Sequence, residues 1–173
     1  QIIEDEFGKN TPIAVLSGPN HAEEVSRKMP TASVVASTNK KTAELVADCL
    51  AAPYFKIYRI DDVAGSEICG ALKNITAIAT GVCDGLGFGD NTKASIMTLG
   101  LMEMNNLGRH FGAKRGTVYG LAGVGDLIAT CTSRHSRNRF VGEQLAKGKT
   151  MNEIKKEMHG MIAEGIPTTK AVY

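Results

Sequence analysis

Tryptophan is absent from this 173-residue chain, and aromatic residues make up only 5% of it. A core must therefore be built from Ile, Val, Leu, Met and Ala, which favours closely packed helices. An excess of one charge is also lacking: 20 basic and 18 acidic residues leave a net +2. No strong field favours non-specific binding of nucleic acid, and no nucleic-acid partner is expected. No apolar run approaches the length of a membrane span, and the start, Gln1-Ile2-Ile3-Glu4, does not read as a signal peptide. Cys49, Cys69, Cys83 and Cys131 form no C-x-x-C pair, and His21, His110, His135 and His159 are scattered, so no metal site is expected. The cysteines read instead as reduced thiols of a cytoplasmic protein. No Met stands at position 1, so a piece of a longer chain is expected. The dinucleotide fingerprint G-x-G-x-x-G is missing as well. Gly85-x-Gly87-x-Gly89 and Gly120-x-x-Gly123-x-Gly125 have the wrong spacing, and neither clearly joins a strand to a long helix.

What is present divides at about Asp61. Before it, Ile13-Ala14-Val15-Leu16 reads as a buried strand entering the turn Ser17-Gly18-Pro19-Asn20, and a short helix starts at His21. Ala32–Ser37 and Phe55–Ile60 are two further strands, flanking a helix from Asn39 to Ala52. Strands alternating with helices over so few residues suggest α/β packing, and three strands are too few to close a core. After Asp61 nothing reads as a sheet: helices follow one another, with Met161-Ile162-Ala163 as a short extended piece. Asp61 or Asp62 can cap a long helix whose apolar face runs through Ile68, Leu72, Ile75, Ile78 and Val82. A second, capped by Asn91 or Thr92, carries a seam of Ile96, Leu99, Gly100, Met104, Leu107 and Phe111, with Gly112 closing it. That seam is compatible with a homodimer. Shorter helices follow near Thr117–Leu121, Asp126–Ser133 and Asn138–Lys147. Another is opened by a Thr150/Glu153 capping box, and a last one is capped by Thr168. The expected fold class is an α/β remnant, residues 1–62, followed by an all-α domain, residues 63–173.

Two features carry chemistry. Gly120 to Arg139 combines glycines, hydroxyls and the cations Arg134, Arg137 and Arg139. It is either a solvated basic loop or a phosphate-ester site whose glycines admit a ligand to the backbone. In the first long helix, Lys73 stands out between Leu72 and Ile75. It lies either on the helix's wet edge or in a partly dry cleft, where desolvation would make the amine a general base. The second case needs a carboxylate: Asp126, Glu67, Glu103 or Glu164.

Ser17-Gly18-Pro19, Ala71-Leu72-Lys73-Asn74, Asp84-Gly85-Leu86-Gly87 with Gly89-Asp90-Asn91, Gly123-Val124-Gly125-Asp126-Leu127, and Thr130-Cys131-Thr132-Ser133 with Ser136-Arg137-Asn138-Arg139 occur in this order. Together they make the whole chain resemble the bacterial-type NAD(P)-dependent glycerol-3-phosphate dehydrogenases. The resemblance implies that residues 1–62 are the end of a Rossmann domain and that residues 63–173 are a helical domain related to that of 6-phosphogluconate dehydrogenase. It also implies interconversion of glycerol 3-phosphate, a small phosphorylated substrate, and dihydroxyacetone phosphate with NAD or NADP, feeding glycerophospholipid synthesis. Carried over by motif, Lys73 is the proton acceptor and Asp126 its orienting carboxylate, with Asn74 and Thr130 beside them. Gly18 and Asn20 are substrate contacts. Ser136, Arg137 and Asn138 take the phosphate, Arg137 also meets the cofactor, and Ala22, Ile162 and Glu164 are cofactor contacts. Asn20 stands where many relatives carry Ser, and without the fingerprint this stretch alone is expected to be inactive. The alternatives are a non-catalytic helical dimerisation or anion-binding module, which would separate Lys73 from Asp126, and a related hydroxyacid dehydrogenase, which would lack the Ser136-Arg137-Asn138 group.

Overall fold

The computed structural model describes residues 2–8 and 10–173; Gln1, the first residue of the segment weighed as a leader, and Lys9 lie outside the described residues. The chain runs α1 (Ile2–Phe7), β1 (Val15–Ser17), α2 (Ala22–Ser26), β2 (Thr31–Ala36), α3 (Lys40–Leu50) and β3 (Phe55–Ile60). It continues through α4 (Val63–Gly85), α5 (Asp90–His110), α6 (Arg115–Val118), a π-helical turn (Leu121–Gly125), α7 (Asp126–Thr132), α8 (Arg137–Ala146), α9 (Met151–Glu157) and α10 (Gly165–Val172). The expected class holds: a small α/β unit is followed by helices, with no strand after Ile60 among the described residues.

The sheet has the order β1-β2-β3. β2 and β3 pair in parallel, with Thr31 opposite Phe55 and Ala36 opposite Ile60. α3 makes the crossover between them, and its first turn is capped by the Asn39 side chain, which accepts from the Thr42 N–H at 3.2 Å. β1 runs antiparallel to β2. As the central strand, β2 buries Ser33, Val34, Val35 and Ala36. β1 is an outer strand with one neighbour, so Leu16, expected inside, is 42% exposed.

Asp62 opens α4 and does more than cap it. One carboxylate oxygen accepts from the Gly65 N–H at 2.9 Å. The other accepts from the Lys114 N–H at 2.7 Å and the Thr117 hydroxyl at 2.6 Å, tying α4 to the start of α6. The expected apolar face of α4 is only half-buried. Its buried positions are mostly small: Ser66, Cys69, Thr76, Ala77, Thr80 and Gly81 among them. The reason is that α4 is surrounded, with α5, α7, α8 and α10 all packed on it, and only small residues let several helices approach one axis. At the α4–α8 crossing, a Cβ on Gly81 would overlap the Arg139 carbonyl and one on Gly142 the Ile78 carbonyl.

The predicted seam of α5 also shifts. Leu99 and Phe111 are more than half exposed, and the helix packs through Met97, Leu101 and Met104 with Gly108 buried beside them. α5 begins at Asp90 after Gly89, without a side-chain cap from Asn91 or Thr92. Gly112, at φ +83°, sits just past its C-cap in the left-handed conformation. The capping box of Thr150 and Glu153 is formed. Thr168 is no cap: it lies inside α10, its hydroxyl returning to the Glu164 carbonyl one turn back at 2.8 Å. Among the described residues, no helix is long and apolar enough to cross a membrane.

This close crossing predicts that Gly142→Ala lowers stability by about 3 kcal/mol, because backbone cannot yield to the added methyl as a side chain could. The urea midpoint of the variant measures it; an unchanged midpoint contradicts the packing described.

Candidate active site

The stretch from Gly120 to Arg139 is not an open basic loop. It holds a π-helical turn, all of α7 and the start of α8. Its glycines serve contact within the chain rather than approach to a ligand: a Cβ on Gly123 would overlap the Val118 carbonyl, and one on Gly120 would crowd the Gly116 carbonyl. The π-helical turn, closed by the Gly125 N–H donating to the Gly120 carbonyl at 3.1 Å, delivers Asp126 as the first residue of α7. There Asp126 is 5% exposed.

Lys73, on the middle of α4, reaches this carboxylate. Its Nζ donates to Asp126 Oδ2 at 2.5 Å, between residues 53 positions apart. The lysine side chain is 20% exposed and the aspartate side chain 7%, so the pair is largely withdrawn from water, with the ammonium the more accessible partner. Thr130, one turn further along α7, donates from its hydroxyl to Asp126 Oδ1 at 3.3 Å. Asp126, not Glu67, Glu103 or Glu164, is thus the carboxylate that Lys73 finds. An ammonium so held keeps further N–H donors for a ligand, and the carboxylate fixes where they point.

A second set of bonds joins α4 to α8. Asn74, beside Lys73 in sequence, donates to the Gly70 carbonyl at 3.1 Å and accepts from Asn138 Nδ2 at 2.8 Å. Asn138 in turn accepts from the Gly165 N–H at 2.8 Å. Both amides are buried and largely engaged within the protein. Ser136, also buried, is the N-cap of α8, accepting from the Arg139 N–H at 3.2 Å. Arg137, between these two, is exposed, and no carboxylate lies within salt-bridge distance of it among the described residues. The start of α8 is locked further by Arg139, whose Nε donates to Asp84 at 2.6 Å, with Lys93 at 3.2 Å from the same carboxylate. Burial pushes the Asp84 carboxyl up, but the hydrogen bonds and charges of Lys93 and Arg139 outweigh it and hold it below the ordinary value.

The remaining predicted site residues share no hydrogen bond with this group among the described residues. Gly18, at φ +121°, lies buried at the end of β1, and Asn20 spends its amide on the Ser33 hydroxyl at 3.1 Å. β1 itself packs against α4. Ala22 at the start of α2, and Ile162 and Glu164 before α10, are exposed. In the sequence His21 and His135 are simply scattered histidines. Their rings lie 6.4 Å apart, on a cavity of about 300 Å³ also lined by Pro19, Ala129, Ser133 and Arg134. His21 Nε2 is buried without a hydrogen-bond partner among the described residues. No local pattern could have paired two histidines on either side of this cavity.

Among solved structures, the chain is similar to a crystal structure of glycerol-3-phosphate dehydrogenase (gpsA) from Coxiella burnetii, with a TM-score of 0.94 at 43% identity, covering 99% of this chain and 52% of that one. The similarity to glycerol-3-phosphate dehydrogenase of Plasmodium falciparum has a TM-score of 0.88 at 30% identity, covering 99% and 49%. By fold, then, the chain is of the dehydrogenase class that joins an α/β unit to an all-helical one. Family models described as NAD-dependent glycerol-3-phosphate dehydrogenase N-terminus and C-terminus match residues 1–43 and 62–173. The chain belongs to the NAD-dependent glycerol-3-phosphate dehydrogenase family. It is 52% identical over 173 residues to glycerol-3-phosphate dehydrogenase [NAD(P)+] of Desulfitobacterium hafniense (strain Y51), covering 100% of this chain and 49% of that protein. It is 52% identical over 161 residues to the protein of the same name from Chlorobium phaeobacteroides (strain BS1), covering 93% and 48%. The chain spans about half the length of the curated relatives it matches.

The thiols under the Lys73–Asp126 pair report on its burial. Burial, with the Asp62 and Asp126 charges adding, pushes the Cys69 thiol up to about 12. Burial pushes Cys131 up to about 11, against a hydrogen bond with Thr80 and the charge of Lys73. Thiolate is the reactive form, so iodoacetamide near neutral pH is expected to label exposed Cys49 and to spare Cys69 and Cys131 until the protein unfolds. Labelling of Cys131 in the folded protein at the rate of Cys49 would contradict this burial.

Proposed function

We propose that the intact protein interconverts glycerol 3-phosphate and dihydroxyacetone phosphate with NAD(H) or NADP(H), residues 1–62 closing its nucleotide-binding domain and residues 63–173 holding the substrate. The Lys73–Asp126 contact at 2.5 Å carries this reading. In the oxidising direction the Lys73 amine accepts the proton of the substrate hydroxyl; in the reducing direction its ammonium returns that proton to the carbonyl oxygen. Asp126, held by Thr130, aims the amine and balances its charge in both directions. The Asn74–Asn138 bond keeps the start of α8 beside Lys73, so that the planar fork of Arg137, with Ser136 and Asn138 beside it, meets the phosphate at the far end of a short substrate. Gly18 and Asn20 border the same substrate from the β1–α2 turn.

Exposed Arg137 and the apolar side chain of Ile162, which is 66% exposed, offer a cation and a flat apolar surface, a set that fits a nicotinamide nucleotide. Ala22, Arg137, Ile162 and Glu164 would hold it, and it would supply the hydride. Four free cysteines suit a cytoplasmic protein. The apolar residues left outside on α5 and at its C-cap, Leu99, Met102 and Phe111, would form the contact of a homodimer. A non-catalytic helical module would have had no reason to hold a lysine and an aspartate together in a half-dry cleft, since such a pair is expensive to bury.

In the full-length protein, Lys73→Ala is expected to lower kcat by about a thousandfold, while Arg137→Ala mainly raises KM for the phosphorylated substrate, by about tenfold or more. Steady-state assays with both cofactors test this; small and equal effects of both changes on both parameters would contradict it. The 173-residue stretch by itself is expected to oxidise no NADH with dihydroxyacetone phosphate, and turnover in that assay would overturn the expectation.

A further inference from the structure

The helical unit carries a second polar cavity, away from the Lys73–Asp126 pair. It has a volume of about 540 Å³ and is lined by Asn105 and Arg109 of α5, Ala113 of the following turn, Arg115 at the start of α6, and Tyr119 just after α6. That volume is within the ordinary range for small-molecule sites. Its two guanidiniums face no carboxylate in its wall: no Asp or Glu lines it among the described residues. Among the described residues neither guanidinium lies within salt-bridge distance of a carboxylate, the neighbouring Lys114 pairing with Asp61 instead. The Arg115 guanidinium lies over the Tyr119 ring, 5.4 Å from its centroid, a contact that restricts the side chain and leaves N–H donors for an anion. The wall supplies one further unmet need. Asn105 Oδ1 is buried without a hydrogen-bond partner among the described residues, and a buried carbonyl oxygen in that state calls for a donor. Asn105 is itself one of the residues lining the cavity, so a ligand hydroxyl seated there would supply that donor.

We propose that this cavity binds a phosphomonoester that also carries a hydroxyl: the two guanidiniums take the phosphate, and Asn105 accepts from the hydroxyl. Two forks around one tetrahedral dianion are the strong form of such contacts. An acceptor at the wall separates hydroxylated esters from simple anions, because a site built to hydrogen-bond a donor discriminates against a ligand that lacks it. The site is independent of the catalytic reading: none of its residues belongs to the Lys73–Asp126–Arg137 group.

Arginine footprinting tests it residue by residue. The full-length protein is treated with phenylglyoxal alone, with sulfate, or with glycerol 2-phosphate, and the modified peptides are quantified by mass spectrometry. At a concentration about four times Kd, glycerol 2-phosphate is expected to slow modification of both Arg109 and Arg115 about fivefold, and sulfate to protect them less. Asn105→Leu is expected to bring the two ligands to equal protection. Arg115→Ala, a change at an exposed position that leaves the fold alone, is expected to reduce the protection of Arg109. No protection of either arginine overturns the proposal. Equal protection by sulfate and glycerol 2-phosphate, untouched by Asn105→Leu, means an adventitious ion only and overturns it as well. Protection of Arg137 in the same digest reads the catalytic site separately, so the two readings fail independently.

Discussion

A charged hydrogen bond between the middle of one helix and the first residue of another organises the helical unit. Lys73 and Asp126 would each be costly to withdraw from water alone, and their attraction offsets that cost only when the geometry is close. The structure meets this condition from both sides. Lys73 is carried on the long, surrounded α4. Asp126 is delivered by a π-helical turn whose glycine packs on the Val118 carbonyl, and is braced by Thr130 from the next turn of α7. A carboxylate fixed in this way gives the ammonium a defined direction, which a solvated surface lysine would not have.

The rest of the architecture fixes the start of α8 against α4, the helix that carries that amine. Glycines on α4 and α8 bring two backbones together at their crossing, and the buried Asn74–Asn138 bond sets the register between them. The Asp84–Arg139 pair then anchors the same end of α8. Arg137 is left exposed amid these fixed neighbours. One guanidinium is thus spent on structure and another is left open two residues earlier, and the phosphate role proposed for the start of α8 rests on that contrast. Small residues along α4 are therefore part of the site's construction, although none of them touches a ligand in this account.

The outline of the fold was legible wherever a local rule decides it. Asn39, the Asp61–Asp62 pair and the Thr150–Glu153 box announced helix starts, and the Val-rich Ala32–Ser37 segment announced a strand, which the structure places at Thr31–Ala36 in the centre of the sheet. Lys73 was legible as an anomaly in an apolar helix. Its partner was not, because four carboxylates satisfied the same local logic and only a closure over 53 residues chooses between them. Apolar periodicity misjudged α4 and α5 because it assumes one buried face. A helix packed on several sides buries its small residues and leaves its large ones half-covered, as Ile68 and Leu72 show. The same limit hid the His21–His135 approach and the long-range bonds of Asp62 to Lys114 and Thr117, which no spacing encodes.

The central claim is that the lysine and the aspartate act as one unit. A double-mutant cycle on kcat/KM in the full-length protein, using Lys73→Ala, Asp126→Asn and the two together, tests it most directly. Acting as a unit, they predict a double variant no slower than Lys73→Ala alone. Losses that multiply, each substitution costing the same with or without the other, would show two independent residues and contradict the account.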